Sequence, residues 1–322
     1  MRKLIKICLI AFTLIAGIYI YNTQNKEDNS LPLIAIANYG PHSSLEETIE
    51  GIKEGLNNLG YVEGKTIRYR VSDVNFETSL ISQMITTLLT RKPNVLVSIS
   101  TPVSQHAKKQ VLDVPLVFVN VTDPNESGLM GKMNMTGVSD KQNLELLLKF
   151  SAKLIPNAKR VGVMYSTGEA NDAALIKMLE KATSNNGLEL MKVPLEHSRD
   201  AATRINIFKN NVDFIYTGSS AAVQSALPSI VRAAESMNIA VINFDHDDVI
   251  NDNVLASYGV SHGKIGVNAA KIIDQILKGT KIENIPVSYP QASEHKGYIS
   301  KKRAEKINLT IPTDIKNLTI IE

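Results

Sequence analysis

Strand and helix alternate along this chain almost without interruption, in two successive series, and that alternation limits the folds open to it. Leu33-Ile34-Ala35-Ile36-Ala37 is a continuous apolar run, as expected of a strand covered on both faces. Ser43 or Ser44 can cap the helix that follows, whose apolar residues Leu45, Ile49, Ile52, Leu56 and Leu59 recur at helical spacing until Gly60. Thr66 to Val71 reads as a strand, Phe76 to Thr90 as a helix and Val95 to Ile99 as a buried strand. Val103 to Gln110 reads as a short helix, and Leu116 to Val119 closes the first series as a strand.

The second series starts near residue 141 with a helix, Gln142 to Leu154, stopped by Pro156. Strands at 160–165, 188–193, 212–216 and 239–242 then alternate with helices at 170–185, 201–208 and 221–237. A strand at 254–258, a helix at 264–277 and a strand-helix tail complete the chain. Short βα connections imply parallel sheets with helices on both faces, and 322 residues exceed the usual size of one core. The expected fold class is therefore α/β, with two Rossmann-like lobes. Ligands of such sheets bind beyond the carboxyl ends of the strands, so two lobes facing each other there form a cleft suited to a small molecule.

The amino terminus carries an export signal. Arg2, Lys3 and Lys6 precede or interrupt an apolar run from Leu4 to Tyr21, and a polar linker follows to Ser30. No small-x-small cleavage site stands out, and Leu14-Ile15-Ala16-Gly17 resembles a lipobox with Ile18 in place of the lipidated cysteine. The segment is thus either removed or kept as an anchor with its positive end inside. Residues 1–30 are expected to be signal or anchor plus linker, and the rest to be exported, periplasmic or on the outer face of the cytoplasmic membrane. The only cysteine, Cys8, lies in this segment, so the folded body has no disulfide and no thiolate metal site. A net charge of +3, from 35 basic and 32 acidic residues mixed along the chain, offers no nucleic-acid surface.

Several segments, in order, resemble the ABC-transporter substrate-binding proteins of the TrpX type, which have the type I periplasmic-binding-protein fold. Gly55-Leu-Asn-Asn-Leu-Gly-Tyr-Val-Glu-Gly-Lys65 is similar to that family's GLxxLGYxEGKN segment, and Ser100-Thr101-Pro102 with Gln105 to its ATPxAQ turn. Val121-Thr122-Asp123-Pro124 resembles VTDP, Thr136-Gly137-Val138-Ser139-Asp140 resembles TGVSD, and Pro156 to Val163 resembles PNAKRVGV. Glu169-Ala170-Asn171 resembles the SEANS helix start, and Leu255 to Val260 resembles LATYGI. The sequence departs from the family at Lys132-Met133-Asn134 and at Thr217-Gly218-Ser219-Ser220, where a PTDN-like turn has lost a carboxylate and an amide. The resemblance implies a monomer that hands a small molecule, an amino acid in the first instance, to ABC permease subunits. It also implies a discontinuous division, with 31–147 plus 254–283 in one lobe and 148–253 plus 284–322 in the other.

Candidate ligand residues sit where strands end: Tyr39 and His42, Ser100 and Thr101, Thr122 and Asp123, Ser166, Thr167, Ala170 and Asn171, Ser219, Asp245 and Tyr258. A helix amino terminus suits a carboxylate, which points to Ser166, Thr167 and the amides toward Asn171. Against this, either hydroxyl can simply cap the helix. Asp245, which matches a family aspartate, suits a ligand ammonium. Tyr39, Phe244 and Tyr258 suit apolar or stacking walls, although buried aromatics often only pack. His246-Asp247-Asp248 are neighbours on one loop that do not converge easily on one ion, so no metal and no other cofactor is expected. Gly-x-Ser-x-Gly, Walker A and Gly-x-Gly-x-x-Gly motifs are absent, which argues against a Rossmann-like enzyme. An anchored sensory receptor using the same clamp remains as the alternative.

Overall fold

The computed structural model describes residues 30–315 and 317–322. The expected signal or anchor segment lies outside the described residues. Among those described, no helix is long and apolar enough to cross a membrane.

The first lobe is a five-stranded parallel sheet in the order β2-β1-β3-β4-β5. Its strands are β1 (Leu33–Ala37), β2 (Arg68–Ser72), β3 (Val95–Ile99), β4 (Leu116–Val121) and β5 (Met135–Ser139). All but the edge strand β2 are buried along their whole length, which explains the continuous apolar run of β1 and the largely apolar runs of β3 and β4. Helices α1 (Ser43–Asn58), α2 (Ile81–Leu89) and α3 (Thr101–Gln110) belong to this lobe. His42, rather than Ser43 or Ser44, caps α1, its side chain accepting from the Ser44 amide. The helix expected from Phe76 begins only at a 3-10 turn over Thr78–Leu80, because Asn75 and Phe76 both take positive φ.

The second lobe is a seven-stranded sheet in the order β12-β11-β10-β9-β8-β6-β7. Its strands are β6 (Arg160–Tyr165), β7 (Glu189–Pro194), β8 (Phe214–Thr217), β9 (Ala240–Asn243), β10 (Ala256–Gly259), β11 (Lys296–Ser300) and β12 (Leu318–Ile321). Only the β10–β11 pair is antiparallel. The helices in this part of the chain are α4 (Leu144–Leu154), α5 (Ala170–Asn185), α6 (Ala201–Arg204), α7 (Ala221–Ser236), α8 (Asp247–Ile250), α9 (His262–Leu277) and α10 (Lys301–Lys306). The helix expected over 201–208 is α6 followed by a 3-10 turn.

The division between lobes differs from the expected one. Strand 254–258 does not return to the first lobe: Ala256 pairs with Ile242 and Ile299 inside the second sheet. Only α9 goes back, packing along α1 with glycines at the contact. A Cβ on Gly51 would meet the Gly263 carbonyl oxygen at 2.2 Å, and one on Gly266 the Thr48 carbonyl oxygen at 2.3 Å. Residues up to Ser288 also stay with the first lobe, where Ser139 donates its amide to the Ser288 carbonyl. Helix α4 lies wholly in the second core, since Leu144, Leu147 and Leu148 pack with Val161 and Phe214. The chain therefore crosses between lobes three times, near 140–143, 259–262 and 289–295.

Candidate functional site

Each sheet has one place where strand order reverses. In the first it lies between β1 and β3, and in the second between β6 and β8. At such a switch point the connections leave in opposite directions and open a crevice beyond the strand ends. Here the two crevices face each other. Residues 38–42 and 100–102 come from the first, and 166–171 and 218–221 from the second. The lobes close over the gap: α3 touches α5, Lys177 pairs with Glu126, and Ser43 Oγ donates to Asp245 Oδ2 at 3.1 Å.

The cavity left between them has an empty volume of about 520 Å³, mouth included. Of the residues expected from the sequence, Tyr39, His42, Ser100, Thr101, Thr122, Asn171 and Ser219 line it. An apolar wall is made by Tyr39, Leu45, Phe76, Pro102 and Phe244. Tyr39 meets Phe76 edge-on at 5.5 Å and gives its hydroxyl a partner in Thr78 Oγ1 at 2.8 Å. His42 stacks on Phe244 at 6.3 Å, and His262 meets the same ring edge-on at 5.5 Å.

Polar atoms without partners surround the rest. Ser100 Oγ, Thr101 Oγ1, Asn120 Oδ1, Asp140 Oδ1, Asn171 Oδ1 and Gln224 Oε1 are shut off from solvent and have no hydrogen bond. Each such atom costs about 1–3 kcal/mol in a fold that leaves it unpaired. The backbone is strained at the same place: Phe76, Ser100 and Asn120 have φ of 65°, 84° and 54°. Ser100, with ψ of 158°, sits in a region that glycine alone occupies freely. Its amide donates to the Val119 carbonyl and its carbonyl accepts from Ser104, and these bonds hold it there. Strain and unpaired polarity converging on one cavity are the marks of a built binding site.

Two of the helix amino termini at the cavity differ in what caps them. Helix α7 is already occupied, because Glu169 Oε1 accepts from the Ala221 amide at 2.9 Å. Burial, helped by the charge of Asp172, pushes the Glu169 carboxyl up to about 7. Helix α3 has no such acid: its capping Ser100 makes no side-chain cap bond, and the buried hydroxyls of Ser100 and Thr101 have no partner, although Pro102 leaves its first turn one N–H short. Asp140 lies across the cavity, with burial pushing its carboxyl up against the opposing effect of His262.

The remaining expected residues lie outside the lining. Ser166 donates its amide to Asp172 Oδ2 at 2.6 Å, Thr167 is exposed, and Ala170 only starts α5, so the carboxylate site expected there is already filled by the protein's own acid. Asp123 fixes a turn through the Asn125 and Glu126 amides and pairs with Lys141 at 2.5 Å. Burial pushes its carboxyl up, but those bonds prevail and hold it below the usual range. Asp245 is fully buried and accepts from Ser43 Oγ and the Asp247 amide, so it ties lobe to lobe instead of facing the cavity. Tyr258 stacks between Phe150 and His295, at 5.2 and 6.0 Å. Missed from the sequence were Phe76, Asp140, Glu169, Gln224 and His262. Most stand at or just beyond a strand end, but that position alone does not say which side chain turns inward.

The fold is the two-lobed type I periplasmic-binding-protein architecture, with a cavity between the lobes. The chain belongs to the ABC transporter substrate binding protein family, whose model matches residues 33–319. It is 25% identical over 274 residues to the tyrosine-binding protein of Clostridioides difficile, covering 83% of this chain and 79% of that protein. A conserved domain protein from Vibrio cholerae superposes with a TM-score of 0.84 at 27% identity, covering 90% of this chain and 99% of that one. The ABC domain from Streptococcus pneumonia in complex with L-Trp also gives 0.84, at 24% identity, over 91% of this chain and 100% of that one.

Proposed function

We propose that this protein captures a free α-amino acid with an aromatic or large apolar side chain outside the cytoplasm and delivers it to the membrane subunits of an ABC importer. The observation that carries this is the pairing of unpartnered polar atoms with an aromatic wall in one interlobe cavity. A ligand carboxylate fits the amino terminus of α3, accepting from the hydroxyls of Ser100 and Thr101 and from the amides of Thr101 and Val103, since Pro102 has none to give. The ammonium fits the acidic side, Glu169 and Asp140, with Asn120, Asn171 and Gln224 offering amide oxygens. The side chain then lies against Tyr39, Phe76 and Phe244. Relatives that bind tyrosine or tryptophan support the same ligand class.

Release requires the Lys177–Glu126 and Ser43–Asp245 contacts to part, a hinge movement about the three crossovers. A thermal-shift panel of the common amino acids, with peptides, sugars and nucleosides alongside, tests the reading. Aromatic amino acids should raise the melting temperature most, and a shift confined to sugars or nucleosides would overturn it.

A further inference from the structure

We propose that the seam between the lobes carries a second site, for one divalent transition-metal ion of the zinc type, built from Glu47, His246 and Asp247. Read along the chain, His246 and Asp247 are loop neighbours with nothing to complete an ion site. Folding supplies the missing group from 200 residues away: α1 of the first lobe brings Glu47 against the start of α8 in the second.

The geometry is close to that of a coordination site. His246 Nε2 stands 3.9 Å from Glu47 Oε1 and 3.6 Å from Asp247 Oδ1. One ligand atom from each of the three residues lies within 4.8 Å of the others. Bonds of about 2.0–2.1 Å in a tetrahedral zinc site put ligand atoms roughly 3.3–3.4 Å apart, so the two carboxylates must draw in around His246 Nε2 for an ion to sit among them. Glu47 Oε2 is shut off from solvent and has no hydrogen-bond partner, while Oε1 is held by Ser261 Oγ at 3.0 Å.

The surroundings suit a metal ligand. His246 stacks on Tyr298 at 5.0 Å, which fixes the plane of its ring. Its other nitrogen, Nδ1, lies 3.9 Å from the fully buried Asp245 Oδ1, beyond hydrogen-bond reach but near enough for that carboxylate to favour a cation here. Four carboxylates gather here, Glu47, Asp245, Asp247 and Asp248. Among the described residues their ion-pair partners are histidines alone, with no lysine or arginine. One imidazole with two carboxylates favours a borderline ion of the zinc type over magnesium or calcium, which prefer all-oxygen shells. The adjacent set His42, Asp245 and Asp248 is a weaker candidate, because bonds from Ser44, Ser43, Asn243 and Asn253 engage all three of its residues, whereas in the proposed set Ser261 engages Glu47 Oε1 and leaves Oε2 without a partner.

None of the three proposed ligands lines the amino-acid cavity. Because they come from both lobes, the ion binds the closed form better than the open one. Linkage then requires that it also tighten the cavity's own ligand, by the same factor by which that ligand tightens the metal.

The test uses the full chain stripped with a chelator and dialysed against Zn²⁺, with bound metal counted by elemental analysis. One zinc per chain is expected, and Glu47→Gln and His246→Gln should each weaken it by about tenfold or more. L-Tyrosine affinity should rise with zinc in the parent protein and stay unchanged with zinc in Glu47→Gln. Absence of stoichiometric zinc, zinc binding equal to the parent in both variants, or equal affinity for Ca²⁺ would each overturn the site. Two variants on different lobes guard against one misfolding, and circular dichroism identifies such a case. Zinc retained without any amino-acid binding would sink the proposed ligand while leaving this site standing.

Discussion

Glu169 Oε1 accepts a hydrogen bond from the Ala221 amide at 2.9 Å, so the protein caps helix α7, which starts at its cavity, with its own acid. Helix α3, which also starts there, is left with the unpaired hydroxyls of Ser100 and Thr101. That asymmetry gives the cavity an acidic pole and an anion-accepting pole, as an amino-acid zwitterion requires.

Thr101→Val tests the anion-accepting pole. It removes a buried hydroxyl that has no partner in the empty protein and keeps the shape of the side chain. The empty variant should be as stable as the parent or more so, while ligand affinity falls by about tenfold. Thermal melts and calorimetric titration, run on both proteins, check the two halves.

Glu169 predicts a pH dependence. Its folded value of about 7 lies above the ordinary 4.5, so the folded empty chain keeps a proton that the unfolded chain releases. Its contribution to stability is full below about 4.5 and fades as pH rises through about 7. An ammonium ligand needs the ionised acid, so affinity should rise as pH increases through 7 and then level off. In Glu169→Gln both trends should weaken, with Asp172, pushed up to about 6 by burial, keeping part of the stability trend, as denaturant melts and titrations between pH 5 and 8 will read.

Gly51→Ala probes the helix pair that ties α9 to the first lobe. The new methyl carbon would lie 2.2 Å from the Gly263 carbonyl oxygen, a backbone atom that cannot swing away. Overpacking of this kind costs roughly 1–3 kcal/mol. Chemical denaturation should show that loss, whereas Gly60→Asn, at a positive φ of 94° with open space around it, should cost much less.

Much of the fold is legible in the sequence because central parallel strands are buried on both faces. β1 is apolar throughout and β3 is broken only by the buried Ser98; both coincide with the expected runs, and α5 begins and ends at the expected residues. Elements governed by distant partners were not legible. Met135–Ser139 and the edge strand Leu318–Ile321 are short and take their identity from pairing with β4 and β11. The membership of β10 follows from its two neighbours in the second sheet, which no local pattern records.

The site follows the same logic. Its location beyond the strand ends was readable, and Tyr39, Ser100, Thr101 and Asn171 are where strand-end reasoning puts them. Which acid faces the cavity was not readable. Asp245 turns away to Ser43 and Glu169 turns in, and the choice depends on sheet order and lobe closure. The Glu47–His246 approach likewise joins residues on different lobes.

Calorimetric titration with L-tyrosine, tyramine and 3-(4-hydroxyphenyl)propionate, repeated with L-tryptophan and its corresponding amine and acid, tests the central claim most directly. At least one parent amino acid should bind with one site per chain. Both of its truncated analogues should lose affinity by about 100-fold, near 2.8 kcal/mol, because each leaves one charged pole of the cavity without its partner. Failure of both amino acids to bind, or an analogue that binds as tightly as its parent, would contradict the account.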